Sequence, residues 1–421
     1  MTVALLASLI AGCAASPAPS AAPPTATETP PSPGSATGSP SASPAAPMPT
    51  ASLPPRTPAP TRTPAPAAPA PLSCASRVFA TMSESQRIGQ LFIIGLTRDH
   101  LDAAERTAVA QFHFGSVSFT AKTSAGVAAV RAIVDAVQAE ATPTATGRVK
   151  FLVAANQEGG LIQALSGPGF DVMPSALSQG TLAPADLERM AARWGRELRA
   201  AGINLDFAPV ADVVPPGTDA GNAPIGQLER EYGHDPATVS SHVAAFIRGM
   251  EEAGVATSAK HFPGLGRVAG NTDFTAAVTD LITTRHDPFL QPFAGAIHAG
   301  VPFVMISLAT YERIDPRHLA AFSPAVMTGM LRVDLGYRGL VISDALGAAA
   351  VASIPPATRA LDFVGAGGDM IVVNQLVPAV QMAQALASAA AQGPGFRDRV
   401  NDAVLRVLRT KEAMGLLPCD A

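Results

Sequence analysis

From residue 91 to residue 373 the chain repeats one alternation, a short apolar run followed by a stretch of helical periodicity. The apolar runs are Leu91–Gly95, Ser116–Thr120, Phe151–Ala155, Ile203–Ala208, Val255–Ala259, Phe303–Ser307, Leu340–Ser343 and Met370–Val373. Their length and bounding residues suit buried strands. Between them lie the amphipathic stretches Ser124–Glu140, Asp186–Ala201, Pro236–Ala253, Pro288–Ala299, Pro324–Leu335 and Val377–Ala391. Several open on an Asp-Pro or Ser-Pro pair, which suits a helix N-terminus. Eight strands alternating with helices predict an α/β chain closed into a single (β/α)8 TIM-type barrel. An open doubly wound sheet is the runner-up, and Gly95–Leu96–Thr97 after the first run is not the Gly-rich phosphate cradle such a sheet uses.

A chain of 421 residues, 48% hydrophobic and 15% charged, can bury one large core or two ordinary ones. Its net charge of −4 gives no basic stripe, which argues against nucleic acid as a partner. Aromatic residues are 5% of the chain and Trp194 is the one tryptophan, so a compact pocket fits better than a long stacking groove.

Thr2–Ile10 is apolar but too short to span a bilayer, and Ile10–Ala11–Gly12–Cys13 sets small residues before a cysteine, as a bacterial lipoprotein signal does. This predicts Cys13 as a lipidated terminus and an exported, membrane-anchored protein. Residues 14–72, almost all Pro, Ala, Ser, Thr and Gly, lack the apolar surface to offset the entropy of ordering, so a disordered tether is expected there, with the folded domain over 73–421. In an oxidising compartment the two remaining cysteines, Cys74 and Cys419, are expected to pair as a disulfide that fastens the C-terminal helix to the start of the domain. Two cysteines alone make no zinc site, and no metal is expected.

In a barrel, function sits at the C-terminal ends of the strands. Those positions hold Asn156–Gln157–Glu158–Gly159–Gly160 after the third run, Asp206 and Asp212 around the fourth, Lys260–His261 after the fifth and Asp344 after the seventh. Lys260–His261–Phe262–Pro263–Gly264 breaks at Pro and Gly into the polar loop Gly270–Asn271–Thr272–Asp273, which holds two hydrogen-bonding side chains at a strand tip. Alone, a Lys-His pair reads as a core histidine beside a solvated lysine. Asp344 alone reads equally well as a cap for the next helix or as a carboxylate whose ionisation is set by an apolar edge.

Taken together, Gln157–Glu158–Gly159–Gly160, Asn204–Leu205–Asp206–Phe207–Ala208–Pro209–Val210–Ala211–Asp212, Arg230–Glu231–Tyr232–Gly233, Lys260–His261–Phe262–Pro263–Gly264 and Val341–Ile342–Ser343–Asp344 resemble the family 3 glycoside hydrolases. The branch most similar is the single-domain β-N-acetylglucosaminidases of bacterial cell-wall recycling, and the likeness runs from about Ser83 to Leu417. It implies a retaining hydrolase in which Asp344 attacks the anomeric carbon to form a covalent glycosyl-enzyme. It also implies that Lys260, His261, Arg230, Asn156 and Glu158 bind substrate or orient the site, while Asp206 and Asp212 support the rim. No cofactor is implied, the partner is a carbohydrate, and a monomer is the simplest expectation.

The chain departs from that pattern where the branch carries an Asp-Ser-His triplet whose His is the acid/base. Here the register holds Asn271–Thr272–Asp273. Asn156 replaces an Asp that opens the Gln-Glu-Gly-Gly motif, and Ala164 stands where an Arg is expected. Two readings follow. Asp273 supplies the proton, giving the carboxylate pair usual in retaining glycosidases, or the acid/base is lost and the barrel is a sugar-binding lipoprotein. Asp344 would be needless in a pure binder, which favours the hydrolase. A phosphorylase is disfavoured, because an Asp acid/base would repel the incoming anion.

Overall fold

The computed structural model describes residues 72–96 and 100–419. The expectations for Cys13 and for nearly all of the tether lie outside the described residues.

Strands β1 (Phe92–Leu96), β2 (Ser116–Phe119), β3 (Leu152–Ala155), β4 (Leu205–Asp206), β5 (Ala256–Phe262), β6 (Phe303–Ile306), β7 (Leu340–Ser343) and β8 (Ile371–Val373) join in one parallel sheet, ordered β7-β6-β5-β4-β3-β2-β1-β8. The ends of that order meet. Ile342 bridges Met370, the Ser343 amide donates to the Met370 carbonyl at 3.0 Å, and the Leu346 amide donates to the Val372 carbonyl at 2.8 Å. The sheet is therefore the expected barrel and not the open alternative. Every residue of β1, β2, β3 and β7 is buried, as strands covered by side chains inside and helices outside must be.

Helices α1 (Cys74–Thr81) and α2 (Glu84–Gly89) precede the barrel. Around it run α3 (Ala103–Phe112), α4 (Gly126–Ala139), α5 (Pro184–Ala200), α6 (Pro236–Glu252), α7 (Gln291–His298), a wider-wound helical segment at Ala325–Asp334, α8 (Pro356–Ala366), α9 (Leu376–Gln392) and α10 (Pro394–Ala413). The Asp-Pro signal at α6 acts as its chemistry requires. Asp235 accepts the Thr238 amide at 2.9 Å, and Pro236 occupies a first-turn position where no amide is needed.

Two strands differ from the sequence expectation. β4 pairs regularly over only two residues, although the Phe207 amide still reaches the Ala155 carbonyl at 2.8 Å. β5 runs on through Lys260, His261 and Phe262, because Val210 bridges Lys260 and the Ser307 amide donates to the Phe262 carbonyl at 2.9 Å. The strand thus runs three residues past the expected Val255–Ala259 and takes in the polar pair, which stands at its tip as expected.

The two ends of the described domain are fastened together. Cys74 and Cys419 form a disulfide with Cα atoms 5.9 Å apart. The Glu412 carboxylate of α10 accepts the first amides of α1, from Cys74 at 3.0 Å and Ala75 at 3.2 Å, which sets an anion at a helix N-terminus.

Candidate active site

A pocket of about 290 Å³ opens at the C-terminal ends of the strands, and Asn156, Arg230, Lys260, His261, Asp273 and Asp344 all line it. Glu158 lies behind that wall, buried. The polar residues expected at the tips of β3, β5 and β7, together with the loops after β4 and β5, therefore converge on one cavity.

Glu158 is the electrostatic centre of its floor. Its carboxylate receives Lys260 Nζ at 2.5 Å and the Arg230 guanidinium at 2.8 Å through both Nε and Nη2. Burial alone would raise its pKa, but Arg230 and then Lys260 outweigh burial and hold it down at about 2. Lys260 Nζ also donates to Asn156 Oδ1 at 2.8 Å, so the amide that stands in for an expected Asp still accepts from the lysine. Arg230 gives its remaining Nη1 to the Pro224 carbonyl at 2.7 Å. All five groups are fixed by one another before any ligand enters.

His261 is held by Asp212. The Asp212 carboxylate lies 2.8 Å from His261 Nδ1 and accepts the His261 and Leu265 amides at 3.1 and 2.9 Å, which turns Nε2 to the pocket side, 3.5 Å from Arg230 Nη2. Asp206, fully buried, accepts the Gln157 amide at 2.9 Å. Burial pushes its carboxyl up to about 7, against the pull of that amide and of Lys260. Both aspartates build the rim, as expected from the strand motif.

Asp344 is half-buried and faces the pocket. Its Oδ1 accepts the Ala345 amide at 2.7 Å, and its own amide donates to the Ile306 carbonyl at 3.0 Å. It caps no helix, since α8 begins only at Pro356.

Asp273 comes to the same cavity on the loop after β5. Asn271 Oδ1 accepts the Asp273 amide at 2.9 Å and its carbonyl accepts the amides of Phe274 and Thr275, so Asn271 shapes the turn that presents Asp273. The main chain of that turn is tied to the segment behind Asp344, through Ala349 donating to the Asp273 carbonyl at 3.2 Å and Ala350 to the Thr272 carbonyl at 3.1 Å. Asp273 is exposed to solvent, and the loop and the pocket wall bury its carboxyl only in part. That burial, followed by the Asp344 charge, raises its carboxyl above the ordinary value, while His261, Arg230 and Lys260 pull the other way.

The pocket also takes in residues that the sequence reading did not single out. Ser118 and Thr120 come from the tip of β2 and Asn374 from the tip of β8, and the same rule of strand-end polarity would have found them. The role of Asp212 as the partner of His261 joins residues 49 positions apart and carries no local signal.

The chain matches the family described as Glycosyl hydrolase family 3 N terminal domain over residues 84–410. It is 35% identical over 233 residues to the beta-hexosaminidase of Stenotrophomonas maltophilia, an alignment covering 53% of this chain and 66% of that protein, just under two thirds of its length. With the beta-hexosaminidase LpqI of Mycobacterium tuberculosis it shares 31% identity over 326 residues, 74% of this chain and 79% of the relative. Among solved structures, the beta-N-acetylhexosaminidase of Beutenbergia cavernae superposes with a TM-score of 0.77 at 45% identity, over 79% of this chain and 99% of that one. With the barrel closed, the pocket at its strand tips and the match running through both, this chain belongs to glycosyl hydrolase family 3.

Proposed function

We propose that the chain is a retaining glycoside hydrolase that removes terminal β-linked N-acetylglucosamine, or a related β-sugar, from cell-wall-derived glycans. The observation that carries this reading is the pairing, in one pocket, of Asp344 with an Asp273 carboxyl whose pKa is raised by burial and by Asp344 itself.

In this reading the protonated Asp273 gives its proton to the glycosidic oxygen while ionised Asp344 attacks the anomeric carbon and the leaving alcohol departs. The product is an Asp344 ester. Once that ester forms, the Asp344 charge is gone and one cause of the raised Asp273 pKa goes with it. The Asp273 carboxylate is then suited to take a proton from the water that attacks the anomeric carbon and frees Asp344. Lys260, Arg230, Asn156 and His261 supply fixed polar contacts for sugar hydroxyls. Their mutual bonds keep the reorganisation needed at the moment of reaction small.

The test is hydrolysis of an activated aryl β-N-acetylglucosaminide and of a natural disaccharide. Asp344→Asn is expected to abolish both. Asp273→Asn is expected to spare formation of the glycosyl-enzyme from the aryl substrate, whose leaving group needs little protonation, and to slow disaccharide cleavage by about 10²–10⁴. Equal, near-zero release by wild type and Asp344→Asn would leave a sugar-binding barrel. Product of inverted anomeric form would remove the covalent step.

A further inference from the structure

The Arg230–Glu231–Tyr232–Gly233–His234 segment sends Arg230 to the pocket and turns Glu231 the other way. Glu231 is fully buried, and neither of its carboxylate oxygens has a hydrogen-bond partner in the structure. Leaving a buried carboxylate so placed is costly unless it is neutralised or paired. The groups that face it are Asp219, whose Oδ1 is also buried without a partner, and His234. One ligating atom from each of Asp219, Glu231 and His234 lies within 4.8 Å of the other two. His234 Nδ1 is 3.6 Å from Asp219 Oδ1 and donates to the Val214 carbonyl oxygen at 3.2 Å, so the imidazole ligates a cation on giving up that proton or through Nε2.

We infer that Asp219, Glu231 and His234 form a binding site for a divalent transition cation, zinc or manganese. Two carboxylates and one imidazole are a mixed oxygen and nitrogen set that suits these ions. The cation supplies what the orphaned carboxylates lack, a positive partner reached by both. The sequence carries no sign of this set, because Asp219, Glu231 and His234 follow no recognised ligand spacing.

The placement gives the site a structural consequence. Asp219 lies on the loop after β4, and Glu231 and His234 lie just before the Asp235 cap of α6. Between them the chain lends Pro224 and Leu228 to the pocket wall and delivers Arg230 to Glu158. The turn carrying Asp219 is packed directly on Gly226, where a Cβ would meet the Asp219 Cα at 2.7 Å. Asn222 ties the same loop to the one after β5, through Nδ2 bonds of 2.8 Å to the Leu265 and Val268 carbonyls. A cation held by 219, 231 and 234 closes this excursion at its two ends and steadies Arg230, whatever reaction the pocket performs.

The test uses the purified chain, stripped with chelator and titrated calorimetrically with zinc chloride and with manganese chloride. Wild type is expected to bind one equivalent of at least one metal, and its Tm is expected to rise by on the order of 2–5 °C at a hundredfold excess over Kd. Glu231→Gln and His234→Gln are each expected to weaken that uptake at least about 100-fold, given that loss of an outer-shell partner alone costs ~10–100-fold. Asp273→Asn, in the catalytic pocket, is expected to leave it unchanged. Glu231→Gln keeps the shape of the buried side chain and should fold, and His234→Gln, on a half-exposed ring, decides the matter if it does not. No uptake by folded wild type would mean that the two carboxylates share a proton instead. Uptake that survives both variants, or that is lost in Asp273→Asn, would equally overturn the site.

Discussion

Glu158 is a single buried carboxylate that fixes two cations of the pocket, Lys260 and Arg230. Removing its charge strands Lys260 and Arg230, which are 2% and 12% exposed and have no other anion at bonding distance among the described residues. Glu158→Gln is expected to lower stability by about 3–5 kcal/mol, read as a lower urea midpoint at unchanged m-value. Asp206 sits beneath the same floor with the opposite shift. Its carboxyl is pushed up to about 7, against ~3.9 in an unfolded chain. Between those values the folded protein holds a proton that the unfolded chain has lost, so this residue's contribution to stability is present below pH ~4 and is lost as pH rises through about 7. Asp206→Asn is expected to flatten that part of the stability profile, and a series of melts across it checks the sign. Neither shift is written in the motif strings, because each is set by neighbours brought in from distant strands.

At the scale of elements, the strands that were legible in the sequence are those buried on both faces, since continuous apolar runs such as Leu340–Ser343 read the same whether or not their partners are known. β5 outran its apolar run because Lys260 and His261 find Glu158 and Asp212, and burial of polar side chains is invisible until the partners are placed. The pocket was read where strand tips carry motif residues and passed over where a tip carries an isolated Ser, Thr or Asn, which only strand-end polarity marks. Barrel closure was legible in the count of strands, but the contacts that seal it were not. The β7–β8 seam relies on Asp369, fully buried, whose Oδ2 accepts the Val341 amide at 2.9 Å while Arg332, Arg399 and Arg406 reach the same carboxylate at 2.5, 3.5 and 2.9 Å. Asp369→Asn leaves three guanidinium groups around a neutral amide. The arginines are partly exposed, so the expected loss lies at the low end of ~3–5 kcal/mol, measured by thermal or urea unfolding.

For the whole molecule, the disulfide between Cys74 and Cys419 closes a loop of 345 residues, and Glu412 ties α10 to α1 beside it. The Cys74→Ser, Cys419→Ser double variant is expected to lose about 2–5 kcal/mol, and the same shift should appear when wild type is unfolded in reductant. Thiol titration of the denatured wild type without reductant should find neither of these two cysteines free. The amide bonds from Ala349 and Ala350 to the carbonyls of Asp273 and Thr272 have a different reach. They are made by peptide groups, which every residue except proline possesses in full, so the span between positions 273 and 344 is indifferent to what those positions carry. Substitution at 273 or 344 therefore leaves the main-chain spacing between the two side chains in place, and only an insertion or deletion in the segments that carry them alters it.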